Sequence, residues 1–350
     1  MSKVIVWAVL LCVCLADVPR SIQVVAWTIP AKKLPLPSCA SEEIRRTLAK
    51  ISQPDIQRAK KFIARSKSEW REWAEYARES GADSAKEWAK KYGVTINKKR
   101  IEGIDVYELI PRSLSKKMHN RLFVFLHGGG YVFGGGMSGL SEGILIASRT
   151  GMRVVAVDYR MPPDYPYPTA VEDVIRVYKV LIHSYAPSAV ALGGSSSGGG
   201  LVLSVVQQMK KAHLPLPGAL FAGSPWADLS KSGDSFYINE GIDRKLVTYD
   251  AFLHAAATLY ANGRNLKDPA ISPLYGDFSG FPPTMLVSGT RDLFLSLTVR
   301  VHRKLKAVGS VADLNVYEGL SHVEYFVVSD APESKDAYGT LKRFLAEHLK

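Results

Sequence analysis

Cysteine is scarce in this chain of 350 residues. The only three, Cys12, Cys14 and Cys39, include two inside one apolar N-terminal run, so the chain has neither a disulfide framework nor a zinc-ligand spacing. No metal and no cofactor are expected. Hydrophobic runs long enough for a comfortable membrane span, roughly 20 residues, are missing as well. No basic stretch interleaved with aromatics forms a nucleic-acid motif, and no internal repeat marks a solenoid. With 45 Lys and Arg against 33 Asp and Glu the chain is basic, but these residues are spread along helix-like segments, so no nucleic-acid partner is expected. Such a chain must build an ordinary core, and 47% hydrophobic residues suffice for one.

The N-terminus is the exception to this even composition. Lys3 is followed by an unbroken apolar run from Val4 to Ala16, then Asp17 and Pro19, the layout of a secretory signal with a short central region. Residues 1–16 are therefore read as a signal peptide and the protein as exported to the periplasm or beyond. An uncleaved anchor is an alternative, since Ile22 to Trp27 adds apolar length, and it would give the chain a membrane contact. Packing of this segment against the body is a third.

Residues 17–93 are read as an N-terminal segment and helical region, with helices and no strands from Ser41 to about Tyr92. Ile44, Leu48 and Ile51 recur at helical spacing behind Ser41, a capping residue followed by Glu42 and Glu43. Trp70, Trp73 and Ala77 form an apolar stripe, suited to core packing or to a cap over a site. Ser84 and Glu87 have the spacing of a capping box. From Val94 onward, short apolar strands alternate with helices. The strands are read at Val94–Ile96, Ile104–Ile110, Leu122–Leu126, Val154–Val157, Ala189–Leu192, Ala219–Ala222, Met285–Ser288 and Leu314–Tyr317. This rhythm predicts an α/β fold with a mostly parallel central sheet and helices on both faces. Residues 94–350 would be the sheet domain, interrupted at about 229–265 by further helix.

The strand Ala189–Leu192 runs into Gly193, Gly194, Ser195, Ser196, Ser197, Gly198, Gly199 and Gly200, with helix directly after. Gly194, Ser196 and Gly198 satisfy G-x-S-x-G in the strand–turn–helix context of a nucleophile elbow. Glycines are needed there because the turn is sharp and flanking side chains would collide. Ser195 and Ser197 compete for the role, but neither has glycine at both flanking second positions. Upstream, the strand ending at Leu126 leads into His127, Gly128, Gly129, Gly130 and Tyr131, whose unobstructed backbone N–H groups suit an oxyanion hole. Gly128 and Gly129 are the candidate donors, with Ser197 as a third, while His127 is read as structural. The last two strands are followed by Asp292 and His322, both at the carboxyl edge of the sheet where the serine stands. The order Ser, Asp, His is that of α/β-hydrolases. Ser196 is thus the candidate nucleophile, His322 the base and Asp292 its orienting acid, with Glu318 and Asp313 as minor rivals for the acid.

At these residues the chain resembles the hormone-sensitive-lipase-like family of α/β-hydrolases, which includes bacterial carboxylesterases and arylacetamide deacetylases. The resemblance rests on His127 to Tyr131, Asp158-Tyr159-Arg160 with Pro163, Pro166 and Pro168, Gly194 to Gly199, Ser224-Pro225-Trp226 with Asp228, and the loops of Asp292 and His322. It implies an α/β-hydrolase fold with an N-terminal helical cap, and it makes Tyr131, Trp226 and Phe326 candidate walls of a substrate pocket. Two departures stand out. Ser195 and Ser197 replace the usual Asp or Thr and Ala beside the nucleophile, and Leu293 and Ser296 replace a Pro and a second Asp after the acid.

The function expected is hydrolysis of short- to medium-chain carboxylic esters through an acyl-enzyme at Ser196, with a small-molecule ester as substrate. Amide, lactone or acetyl-ester hydrolysis on a larger molecule would use the same machinery. A silent ligand-binding module of this fold is disfavoured by the presence of His322, and a membrane-associated scaffold would rest on the N-terminal run alone. If the signal reading holds, N-terminal sequencing of protein from its native host will find a mature chain beginning at or near Asp17. A chain that retains Met1 or Ser2 in the membrane fraction would contradict it.

Overall fold

A computed structural model describes Thr28, Ala31 and residues 33–350; the signal reading of residues 1–16 lies outside them. The body Leu36–Lys350 is framed by one eight-stranded sheet in the order β1-β2-β4-β3-β5-β6-β7-β8. The strands are β1 Val94–Ile101, β2 Ile104–Pro111, β3 Leu122–Leu126, β4 Arg153–Val157, β5 Val190–Ser195, β6 Ala219–Gly223, β7 Thr284–Gly289 and β8 Ala312–Tyr317. From β4 through β8 all pairings are parallel, and β2 is antiparallel to both its neighbours. The central strands β3, β5, β6 and β7 are buried at every position, which explains why they read as short continuous apolar runs.

Each expected strand is present, and the largest difference is at β1. It continues through Asn97-Lys98-Lys99-Arg100, beyond the expected end at Ile96. At a sheet edge such residues are tolerated because their side chains face water and find partners on β2: Lys98 and Arg100 pair with Asp105, and Lys99 with Glu108.

Among the described residues three helices precede the sheet: α1 Glu42–Ala49, α2 Ile56–Lys61 and α3 Lys67–Tyr92. Ser41 caps α1 as expected, its side chain accepting from the Ile44 N–H. The capping box read at Ser84 and Glu87 is a correction, because both lie inside the continuous helix α3. The cap is Ser66, which accepts from the Glu69 N–H while the Glu69 carboxylate accepts from the Arg65 N–H. Nothing interrupts α3 at Gly81, since the missing side chain is what lets the helix press on Ser138: a Cβ there would meet the Ser138 Cβ at 2.4 Å.

Helices cover both faces of the sheet: α4 Ser141–Thr150, α5 Thr169–Leu181, α6 Ser197–Lys211, α9 Leu295–Ala307 and α11 Pro332–His348. Between β6 and β7 the segment read as extra helix carries two short ones, α7 Ser235–Ile238 and α8 His254–Ala261, and a further short helix, α10 Glu324–Val327, follows His322. The core divides accordingly into two layers, one centred on α5, α6 and α9, the other on α4 and α11.

At the carboxyl edge of the sheet, β3 and β5 approach so closely that only glycine fits between them. A Cβ on Gly194 would lie 2.0 Å from the Leu126 carbonyl oxygen, and one on Gly198 would lie 2.1 Å from the same atom. Gly198→Ala is therefore expected to cost about 1–3 kcal/mol or more through overpacking against rigid backbone. Gly309→Ala, at a left-handed helix end where a Cβ meets nothing within 4 Å, should cost only about 1 kcal/mol. Thermal unfolding of the two variants tests this, and equal melting temperatures would contradict it.

Candidate active site

β5 delivers the chain to Ser196 with φ 62° and ψ −127°, a conformation that L-residues rarely adopt, and α6 starts at the next residue. The turn is held on both sides. The Ser196 N–H donates to the Gly223 carbonyl at 2.8 Å, and the Ser196 carbonyl accepts from Trp226 at 2.9 Å and Gly200 at 3.0 Å. The hydroxyl consequently stands at the N-terminus of α6, where the helix dipole favours negative charge.

His322 and Asp292 reach this hydroxyl from two loops. The His322 Nε2 lies 2.9 Å from Ser196 Oγ, and its Nδ1 lies 3.0 Å from Asp292 Oδ1. Asp292 is sealed from solvent; its Oδ1 also accepts from the Phe294 N–H at 2.8 Å and its Oδ2 from the Ser288 hydroxyl at 3.1 Å. Burial alone would raise the Asp292 pKa, but the attraction of His322 and its hydrogen bond outweigh burial and hold the carboxyl below its ordinary value. For His322, burial opposes the charged ring, yet the Asp292 carboxylate prevails and the pKa is raised. Among the described residues the hydrogen bonds of the His322 ring run to Asp292 and Ser196, and to neither rival, Glu318 or Asp313.

Gly128 and Gly129 lie across the turn from Ser196. A Cβ on Gly128 would meet the Ser196 Cβ at 3.2 Å, and Gly129 has φ +114° with the Phe133 carbonyl where its Cβ would go. Among the described residues, the N–H groups of Gly128, Gly129 and Ser197 have no protein acceptor, the last because it opens a helix. His127 is structural: its ring stacks on Tyr159 at 4.1 Å, its Nδ1 sits 2.8 Å from the Gly128 carbonyl, and burial lowers its pKa.

A cavity of about 350 Å³ opens over Ser196 and His322, walled by Phe133, Leu246, Phe252 and Phe326 among others. Phe326 is thus a wall, but Tyr131 and Trp226 are not, which corrects the expectation for both. Tyr131 is buried and stacks on Tyr260 at 3.9 Å. Trp226 is buried behind Phe294, whose ring in turn meets His322 edge-on at 4.9 Å. Both support the site from the core. A larger cleft of about 500 Å³ contains none of the triad; its arginines Arg71, Arg78, Arg100 and Arg160 are paired with Asp164, Asp158, Asp105 and Asp173.

Two buried carboxyl groups escaped the sequence reading. Asp243 accepts from the Leu293 N–H, and burial, helped by the nearby Asp292, pushes its pKa up to about 6. Glu142 sits in the cavity wall, and burial raises it to about 7. No sequence signal distinguishes them. A glutamate in the first turn of a helix is what the dipole alone favours, and an aspartate in Gly241-Ile242-Asp243-Arg244 reads as a turn residue.

Comparison with known proteins agrees with this geometry. A family model described as alpha/beta hydrolase fold matches residues 123–326. An acetyl-hydrolase of Streptomyces hygroscopicus is 30% identical over 230 residues, 65% of this chain and 76% of its own. An esterase of Acinetobacter venetianus is 27% identical, covering 64% and 74%. The crystal structure of esterase E25 superposes with a TM-score of 0.91 at 47% identity, covering 93% of this chain and 99% of that one. An esterase from the bacterial hormone-sensitive lipase family gives a TM-score of 0.69 at 30% identity, covering 82% and 100%.

The electrostatics of the histidine can be tested without reference to any reaction. Proton NMR should show His322 titrating above the ordinary imidazole value of 6.5, and Asp292→Asn should lower that midpoint because the main attraction opposing burial is then gone, with only the weaker ones of Asp243 and Glu142 remaining. A midpoint indifferent to the substitution would mean that Asp292 does not hold the ring.

Proposed function

We propose that this chain, which belongs to the α/β-hydrolase fold family, is a serine carboxylesterase that hydrolyses short- to medium-chain carboxylic esters. The observation that carries the proposal is the continuous hydrogen-bonded line from Ser196 Oγ through His322 to the buried Asp292, placed beside unused N–H donors and under an apolar cavity. The names of the related acetyl-hydrolase and esterases support the same reading.

In the first half-reaction Ser196 Oγ attacks the ester carbonyl carbon while His322 Nε2 takes its proton. The tetrahedral oxyanion is held by the N–H groups of Gly128, Gly129 and Ser197, which are already oriented and have no protein acceptor to leave. His322 returns the proton to the alkoxy oxygen as the carbon–oxygen bond breaks, leaving the acyl group on Ser196. Water then attacks the acyl carbon, with its proton going to His322, and Ser196 Oγ leaves as the hydroxyl. Asp292 keeps the ring in the tautomer with Nε2 free and stabilises the charged imidazolium.

The helical region preceding the sheet and the segment 229–265 are proposed to form the cap. Trp70 on α3 packs against Phe133 and Phe252, two of the cavity walls, which supports this assignment. Export of the protein through its N-terminal run is likewise proposed. Among the described residues no helix is long and apolar enough to cross a membrane.

Turnover of 4-nitrophenyl butyrate tests the central proposal. Ser196→Ala should lower kcat by about three powers of ten or more while circular dichroism stays unchanged, because only the nucleophilic oxygen is removed. Loss of activity in Ser195→Ala with retention in Ser196→Ala would place the nucleophile elsewhere.

A further inference from the structure

Glu142 has no part in acyl transfer at Ser196, yet it occupies the cavity wall. It is 4% exposed, and its neighbours form a closed polar cluster directly behind the nucleophile. The Ser195 hydroxyl donates to Glu142 Oε1 at 2.6 Å, and the Tyr338 hydroxyl donates to the same oxygen at 3.0 Å. Ser195 has only one hydroxyl proton, so the Tyr325 hydroxyl, 2.6 Å away, must donate to Ser195. Gly223 leaves room for this arrangement, since a Cβ there would lie 1.9 Å from the Tyr325 oxygen. Ser195 and Tyr338 therefore donate to Oε1, and Tyr325 donates to Ser195. Among the described residues both hydrogen bonds to the Glu142 carboxyl end on Oε1 and none on Oε2.

The cavity that Glu142 lines offers nothing to compensate a charge on it. Apart from His322, Glu142 is the only ionisable side chain lining it among the described residues, and neither Lys nor Arg does so. The remainder of the wall is glycine, serine and apolar side chains, so a charge entering here meets weak screening.

We infer that Glu142 is a specificity-determining residue, whose carboxylate in the cavity wall excludes substrates that carry a carboxylate close to the scissile bond. The inference rests on the esterase reading and deepens it by naming the substrate class. A half-ester of a dicarboxylic acid would bring a second negative charge into a cavity with one carboxylate and no cation. A neutral acyl group of equal length meets no such penalty.

The exclusion depends on the charge of Glu142. Burial raises this carboxyl to about 7, against the lowering effects of its hydrogen bonds from Ser195 and Tyr338 and of the nearby His322. Tyr325, the remaining titratable group of the cluster, is itself pushed upward by burial and stays neutral. Below about neutral pH the wall carries a neutral carboxyl and exclusion weakens; above it the carboxylate is present and exclusion is full.

The experiment compares 4-nitrophenyl butyrate with 4-nitrophenyl hemisuccinate on the full-length protein, reading the ratio of their kcat/KM values. Protonation of His322 affects both substrates alike and cancels. The hemisuccinate carboxyl, ordinarily near pKa 4, is ionised throughout. In the unmodified protein the hemisuccinate-to-butyrate ratio should fall by about tenfold from about pH 6 to about pH 8.5. In Glu142→Gln it should be flat, and at the higher pH it should exceed the unmodified value by about tenfold. A ratio independent of pH in the unmodified protein would overturn the inference even if the variant failed to fold. An equal fall in Glu142→Gln would overturn it as well. Absence of butyrate turnover would instead overturn the esterase reading on which it rests.

Discussion

The Leu126 carbonyl oxygen is the point about which the catalytic end of the molecule is arranged. It lies at the end of β3, and Gly194 and Gly198 both crowd it at distances that admit no side chain. That contact forces the chain to turn sharply between them, and the turn places Ser196 in its rare backbone conformation. The same approach brings Gly128 against Ser196, so that the nucleophile and the free N–H groups are set by one packing event. Strain at Ser196 persists because Gly223, Trp226 and Gly200 hold its backbone from three directions.

The other half of the site is braced from the segment between β6 and β7. Asp243 accepts from the Leu293 N–H, next to Asp292, while its neighbour Arg244 forms a buried ion pair with Glu324, at 2.6 Å between Nη2 and Oε2. Glu324 also accepts from the Ser321 N–H, next to His322, and the Arg244 N–H donates to the Ser321 hydroxyl. One short turn thus grips the loop of the acid and the loop of the base together. A buried ion pair adds little net stability, but it fixes geometry when every polar atom has a partner, and here it reinforces direct bonds between the two loops, from the Arg291 N–H to the Leu320 carbonyl at 2.9 Å and from the Gly319 N–H to the Thr290 hydroxyl at 2.8 Å.

Legibility in the sequence followed how local the physics was. The elbow glycines and the glycines after His127 were readable because a turn that admits no Cβ leaves a residue-type signature at fixed spacing. The strands were readable because burial on both faces makes them continuously apolar. β1 was truncated because an edge strand tolerates charges that resemble a loop, and the cap of α3 was misplaced because two segments fit the same spacing. Tyr131 and Trp226 lie beside catalytic loops, where an aromatic can face either the pocket or the core, and sequence position does not say which. Glu142 and Asp243 were invisible for a related reason: their burial arises from contacts made by Tyr338, Tyr325 and Leu293, far away along the chain.

The alignment of Ser196, His322 and Asp292 singles out one serine among three consecutive ones as the nucleophile. Treatment with a fluorophosphonate, followed by fragment-ion sequencing of the modified peptide, reads this directly. A single covalent adduct on Ser196 is the predicted result. An adduct on Ser195 or Ser197, or none after prolonged exposure of the folded protein, would contradict it.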